Sequence, residues 1–67
     1  MKVYVVTKTV YDSCISEEIK GIFKTKEAAE NYIYKYNDNN IVFDDDCYIY
    51  DEYNGIYFFI EEYEVNE

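Results

Sequence analysis

Between residues 44 and 64 this chain places eight carboxylates among five tyrosines: Asp44-Asp45-Asp46, then Tyr48, Tyr50, Asp51-Glu52, Tyr53, Tyr57, and finally Glu61-Glu62-Tyr63-Glu64. Carboxylates pair with lysine and arginine, and tyrosine adds rigid contact area with a polar tip, the combination that suits a protein-binding surface. On an extended strand, residues two apart share a face about 6.5 to 7 Å from each other. Glu62 and Glu64 would then form a short carboxylate row whose step is close to that between phosphates along one nucleic-acid strand. The chemistry this pattern offers is recognition of a basic surface.

Catalysis is a poor match to the same residues. The chain has no His, so a His-dependent triad, a Cys-His pair and a His-metal site are all excluded within one subunit. Asp44-Asp45-Asp46 lacks the alternating spacing and distal Glu of a calcium loop, and no metal or other cofactor is expected. Cys14 and Cys47 are 33 positions apart and fit no zinc or CxxC spacing, which makes them ordinary small thiols with no base to activate them. The expectation is a protein without enzymatic activity.

The elements that must hold these residues follow from pattern. Sixty-seven residues make one domain, 1–67, because a chain this short sheds only about 60% of its unfolded surface on folding. With 49% hydrophobic and 21% aromatic residues it should fold rather than remain disordered. Residues 2–10 are dense in Val and Thr and read as a strand, and residues 17–23 as a second one joined to it by a hairpin. Thr25 can cap a helix whose apolar positions Ala28, Ala29, Tyr32, Ile33 and Tyr36 share one face, and Asn37-Asp38-Asn39-Asn40 ends it. Residues 47–53 and 56–65 read as a final hairpin around Asn54-Gly55, a pair that favours a type I′ turn. The expected fold is α+β: a small antiparallel sheet, β-β-α-β-β, with one helix packed on one face. A right-handed crossover would set strand 47–53 beside the first strand, leaving 17–23 and 56–65 at the edges. No second helix is available for the other sheet face.

Charge is unevenly distributed along the chain. Fifteen acids oppose six lysines, with no Arg, for a net charge of −9. Residues 1–37 hold all six lysines against five acids, a balance of +1, whereas residues 38–67 hold ten acids and no base. Such a surface repels bare nucleic acid and anionic membrane and attracts a basic partner. No apolar run approaches the roughly 20 residues of a membrane span, and the first residues alternate too strongly for a signal peptide, so a cytoplasmic protein is expected.

Gly21-Ile22-Phe23-Lys24-Thr25-Lys26-Glu27-Ala28-Ala29-Glu30 and Phe59-Ile60-Glu61-Glu62-Tyr63-Glu64-Val65 resemble a group of small uncharacterised β-β-α-β proteins of low-GC Gram-positive bacteria and their phages. Those proteins share a G-x-F-x-[ST]-x-E-x-A segment joining strand to helix and a Y-x-I-E-E-Y-E-V-like last strand. The resemblance implies the fold and carries no catalytic residue. In physical character alone, the chain is similar to the acidic DNA-mimicking inhibitors of phages, including anti-CRISPR proteins and uracil-DNA glycosylase inhibitors.

The expected function is therefore an acidic inhibitor of anti-CRISPR or other anti-defence type, which occupies the nucleic-acid-binding surface of a basic host protein as a DNA mimic. Its partner-binding residues would be Asp44, Asp45, Asp46, Tyr48, Tyr50, Asp51, Glu52, Tyr53, Tyr57, Glu61, Glu62, Tyr63 and Glu64, with no direct contact to nucleic acid or membrane. Two plainer readings compete with it. A charge run is commonly just a solvated face, and tyrosines at alternate strand positions are commonly the half-buried side of a sheet. An edge strand could also pair with a second copy of the chain to give a homodimer, the acids then serving only solubility.

Overall fold

A run rich in Val and Thr forms β1 (Lys2–Tyr11), and β2 (Ile15–Phe23) pairs with it antiparallel. The computed structural model describes residues 1–11, 14–38, 40–44 and 47–66. Helix α1 (Lys26–Tyr36) starts where its sequence dictates: Thr25 has extended backbone, and its Oγ1 accepts the Ala28 N–H at 3.1 Å. That bond satisfies one of the free donors of the first turn, and Glu27 there favours the positive helix end. At the other end the buried Asn37 side chain donates to the Ile33 carbonyl at 2.9 Å, and Asp38 takes the left-handed backbone (φ 53°) that stops the helix. Asn39 lies outside the described residues.

The second half departs from expectation in strand number and order. It forms β3 (Val42–Asp44), β4 (Cys47–Asp51) and β5 (Ile56–Glu64), so the antiparallel sheet has five strands in the order β2-β1-β5-β4-β3. The strand expected beside β1 is instead one place out, and β5, expected at an edge, lies between β1 and β4. Length explains the exchange. β5 matches β1 in continuous register from Lys2↔Glu64 to Val10↔Ile56, whereas the five-residue β4 would leave half of β1 without ladder partners. Central placement also puts Phe58 under the helix. The edges are β2 and the three-residue β3.

The β4–β5 turn also differs from a two-residue type I′ hairpin. Asp51 accepts both the Asn54 backbone N–H (3.1 Å) and its side-chain amide (2.6 Å), which closes a turn over 51–54 and leaves only Gly55 at positive φ (67°). A Cβ on Gly55 would stand 2.4 Å from the Tyr11 carbonyl oxygen, so glycine is required by both backbone angle and space.

One core lies between the sheet and α1. Val6, Ala29, Ile33, Ile41, Tyr48 and Phe58 are buried, with Tyr4, Phe23, Tyr32, Tyr34, Ile56 and Ile60 packed around them. In a chain with no Leu the rings do the filling: Phe23 meets Tyr32, Tyr32 meets Tyr36, and Tyr36 meets Phe58 edge-on at 5.9 Å. All of these rings contribute to the helix side. Among the described residues no helix or second sheet covers the opposite face, and that side is where the candidate site lies.

Candidate functional site: the open face of the sheet

Strand alternation and register define which side chains share the open face. Across it, successive rows read Glu61–Val5–Ile22, then Asp44–Cys47–Phe59–Thr7–Ile19, then Val42–Ile49–Tyr57–Thr9–Glu17, with Tyr63 and Val3 at one end and Tyr11 and Ile15 at the other. The face is markedly apolar for a surface: Ile15, Ile19 and Ile22 are 67%, 66% and 64% exposed. Isolated exposed apolar residues are ordinary, but a contiguous patch of them marks an interaction surface.

Its charge is one-signed. Glu17, Glu61 and Asp44 are exposed on this face, and none of the six lysines is on it. Lys2 and Lys8 alternate onto the helix side with Val6, Lys20 lies over the Tyr36 ring (5.6 Å), and Lys24, Lys26 and Lys35 belong to the helix or its approach. A bulge between β1 and β2 near Val6/Thr7 lets Lys20 turn to the helix side, where it pairs with Glu18 at 3.1 Å. That hydrogen-bonded carboxylate raises the Lys20 pKa.

The acids and tyrosines singled out from sequence do not form one surface. Glu61 and Tyr63 occupy the open face, with the Tyr63 hydroxyl donating to Glu61, which pushes the phenol pKa up. Glu62 and Glu64 point the other way. Glu62 accepts the Tyr4 hydroxyl at 3.1 Å and an ion pair from Lys2 at 3.5 Å, raising the Tyr4 pKa, and Glu64 lies 3.6 Å from the Met1 amino group. Their carboxylate row is thus already engaged by cations of the chain itself. Asp51, Glu52 and Tyr53 sit at the β4–β5 turn, where Asp51 is held by Asn54 and titrates below the usual carboxylate range, while Tyr53 is 96% exposed. Tyr50 is exposed nearby on β4, at the position where its register with β5 shifts. Asp44 is exposed at the end of β3, and Asp45 and Asp46 lie outside the described residues.

Tyr48 requires correction as a partner-binding residue. It is buried in the core, its ring packed on Phe43 and Tyr34, and its hydroxyl donates to Glu30 at 2.8 Å. Alternation along a half-buried strand sends it inward with Phe58, its register partner. Tyr57 stays on the open face but is half-buried, its ring edge-on to Tyr11 at 5.4 Å. Sequence reasoning missed Glu17, Ile15, Ile19, Ile22, Phe59 and Tyr11 as members of the same surface. The signal was the odd-numbered run of β1 together with its hairpin partner, both alternating away from Val6.

A shallow open depression of about 390 Å³ lies on this face, lined by Tyr11, Cys47, Tyr57 and Phe59. Burial, and then the neighbouring Asp44 carboxylate, push the Cys47 thiol up, so it is a poor nucleophile at neutral pH. Cys14 is a free thiol and exposed. Among the described residues no group of three or more Cys, Asp and Glu is arranged to hold a metal ion, and no helix is long and apolar enough to cross a membrane. No curated protein and no solved structure matches the chain. A family model matches residues 1–67, the whole of its length, and the chain belongs to the family described as Domain of unknown function (DUF7336).

Proposed function

We propose that this protein is a non-catalytic acidic binding protein, whose open sheet face docks on the basic surface of a protein that handles nucleic acid. One observation carries the reading: the face combines exposed isoleucines and aromatic rings with Glu17, Glu61 and Asp44, and no lysine. A patch of this composition complements a surface in which Lys or Arg stands among apolar groups. Surfaces that hold nucleic-acid phosphates are built from Lys and Arg, and a protein occupying one would act by competition with nucleic acid. The narrower reading, an anti-defence inhibitor of the kind phages make, rests on acidity and size alone.

The test is affinity capture from the natural host using wild-type protein and a Glu17→Lys/Asp44→Lys/Glu61→Lys triple variant. A nucleic-acid-handling protein should be retained by the wild type, released by raised salt or by competing DNA, and lost from the triple variant, while Glu52→Lys at the turn retains it. Capture indifferent to salt, to DNA and to the triple substitution would refute the proposal.

A further inference from the structure

The geometry points to an arginine side chain of the partner as the group that fills the depression between Tyr11, Cys47, Tyr57 and Phe59, an inference that rests on the open face being the docking surface. The depression is aromatic on three sides. Tyr11 and Tyr57 meet edge-on at 5.4 Å, and Phe59 follows Tyr57 on the same face of β5. A wall of this kind can take an apolar side chain or a cation, since ring faces are electron-rich and attract positive charge.

What selects a cation is the rim. Asp44 is the direct cross-strand partner of Cys47, whose other neighbour in the row is Phe59, and Asp44 acts electrostatically on the Cys47 thiol. Cross-strand partners have Cβ atoms about 4.5 to 5.5 Å apart, which sets the Asp44 carboxylate beside the depression. Glu61 lies two residues beyond Phe59 on the same face, about 6.5 to 7 Å along the strand. Two carboxylates therefore flank one accessible ring, and no lysine on this face neutralises either. A leucine or methionine placed here would bring nothing to pair with them.

Arginine fits better than lysine for two physical reasons. Its planar guanidinium stacks on a ring while its edge N–H groups still reach carboxylates, and it is more weakly hydrated than an ammonium group, so less is lost on entering a half-buried aromatic site. The volume of about 390 Å³ leaves room for the methylenes as well as the head group. Bound in this way, one arginine would lie on Phe59 or Tyr57 with its N–H groups directed to Asp44 and Glu61.

The test uses the intact protein and three blocked peptides, Ac-Gly-Ala-Arg-Ala-Gly-NH2 and its lysine and citrulline counterparts, titrated while backbone and aromatic NMR signals are recorded. The arginine peptide should shift signals around Cys47, Tyr57 and Phe59, bind more tightly than the lysine peptide, and leave the neutral citrulline peptide without comparable effect. Asp44→Asn and Tyr57→Leu should each weaken it about two- to fivefold, the size of an exposed cation–π or carboxylate contact, and Glu52→Gln should not. If Tyr57→Leu disturbs the fold, visible in the same spectra, Asp44→Asn decides. Equal binding of the citrulline peptide, or no shift with any peptide, would overturn the assignment. Arginine-induced shifts elsewhere on the open face would overturn the depression as the site and leave the docking face standing. Shifts confined to the helix side, around Glu62 and Glu64, would overturn both.

Discussion

Phe58 and Phe59 are adjacent, identical in type and on the same strand, yet the structure gives them opposite roles, so truncating each to alanine isolates the effect of face. Phe58 is fully buried between Val6, Ile33 and the edge of the Tyr36 ring. Phe→Ala at such a site costs about 3 to 5 kcal/mol, from lost transfer free energy plus the cavity that remains. A 67-residue domain has a total stability of roughly 3 to 10 kcal/mol at ordinary per-residue values, so Phe58→Ala removes from about a third to all of it. Phe59 is half-buried, and its ring already borders solvent in the depression on the open face. Only part of its apolar area returns to water on truncation, and solvent fills the space, so the cavity contribution vanishes. About 1 kcal/mol is expected there. Urea unfolding followed by far-UV circular dichroism measures both, with one-dimensional NMR reporting whether Phe58→Ala is folded at all in water. The midpoint of Phe59→Ala should stay close to wild type. Equal losses for the two variants, or a larger loss for Phe59→Ala, would show that the register Val6↔Ile60, Lys8↔Phe58 is wrong and with it the open face.

Two further outcomes follow from the site geometry. Tyr48→Phe keeps the buried ring but removes the hydroxyl that donates to Glu30, and a hydrogen bond to a carboxylate is worth about 1.5 to 3 kcal/mol, so unfolding should shift clearly, while Tyr53→Phe at the turn should leave it unchanged; reversed results would make Tyr48 a surface residue. Asp51 has a folded pKa lowered by the Asn54 side chain and then by the Asn54 backbone, so its contribution to stability is complete above the ordinary carboxylate range and is lost as pH falls through the depressed value; a carbon-detected titration placing Asp51 at or above the ordinary Asp range would refute the turn geometry.

The helix was legible, its start to the residue, because its signals are local: a capping threonine, a five-residue apolar face and an asparagine-rich stop all act within a turn or two of where they stand. The first hairpin was legible for the same reason. Strand order was not, since it depends on matching lengths 50 residues apart. Nothing in Ile56–Glu64 by itself says that β1 will prefer it to Cys47–Asp51, and the preference emerges only when unpaired ladder groups are counted over both strands. The two-residue turn at Asn54-Gly55 was overridden by Asp51, whose carboxylate captures Asn54 before Asn54 can take a left-handed backbone. Tyr48 shows the limit of composition most clearly. It stood among acids in the chain, and only its register with Phe58 reveals that it faces the core.

The charge asymmetry is changed in kind by the fold. Along the chain it divides a half of balance +1 from a half of ten acids without a base. Because β5 inserts beside β1, those halves are interleaved: Lys2 meets Glu62, and the Tyr4 hydroxyl joins the same carboxylate. Alternation then sorts what pairing has mixed. All six lysines fall on the helix side or around it and neutralise part of its acid, whereas Glu17 comes from the near-neutral half to join Asp44 and Glu61 on the open face. An asymmetry between ends of the sequence has become one between faces of the sheet. A partner meets a face, so the spatial division is the one that can select it: on the helix side a basic partner would compete with the chain's own lysines, and on the open face it would not.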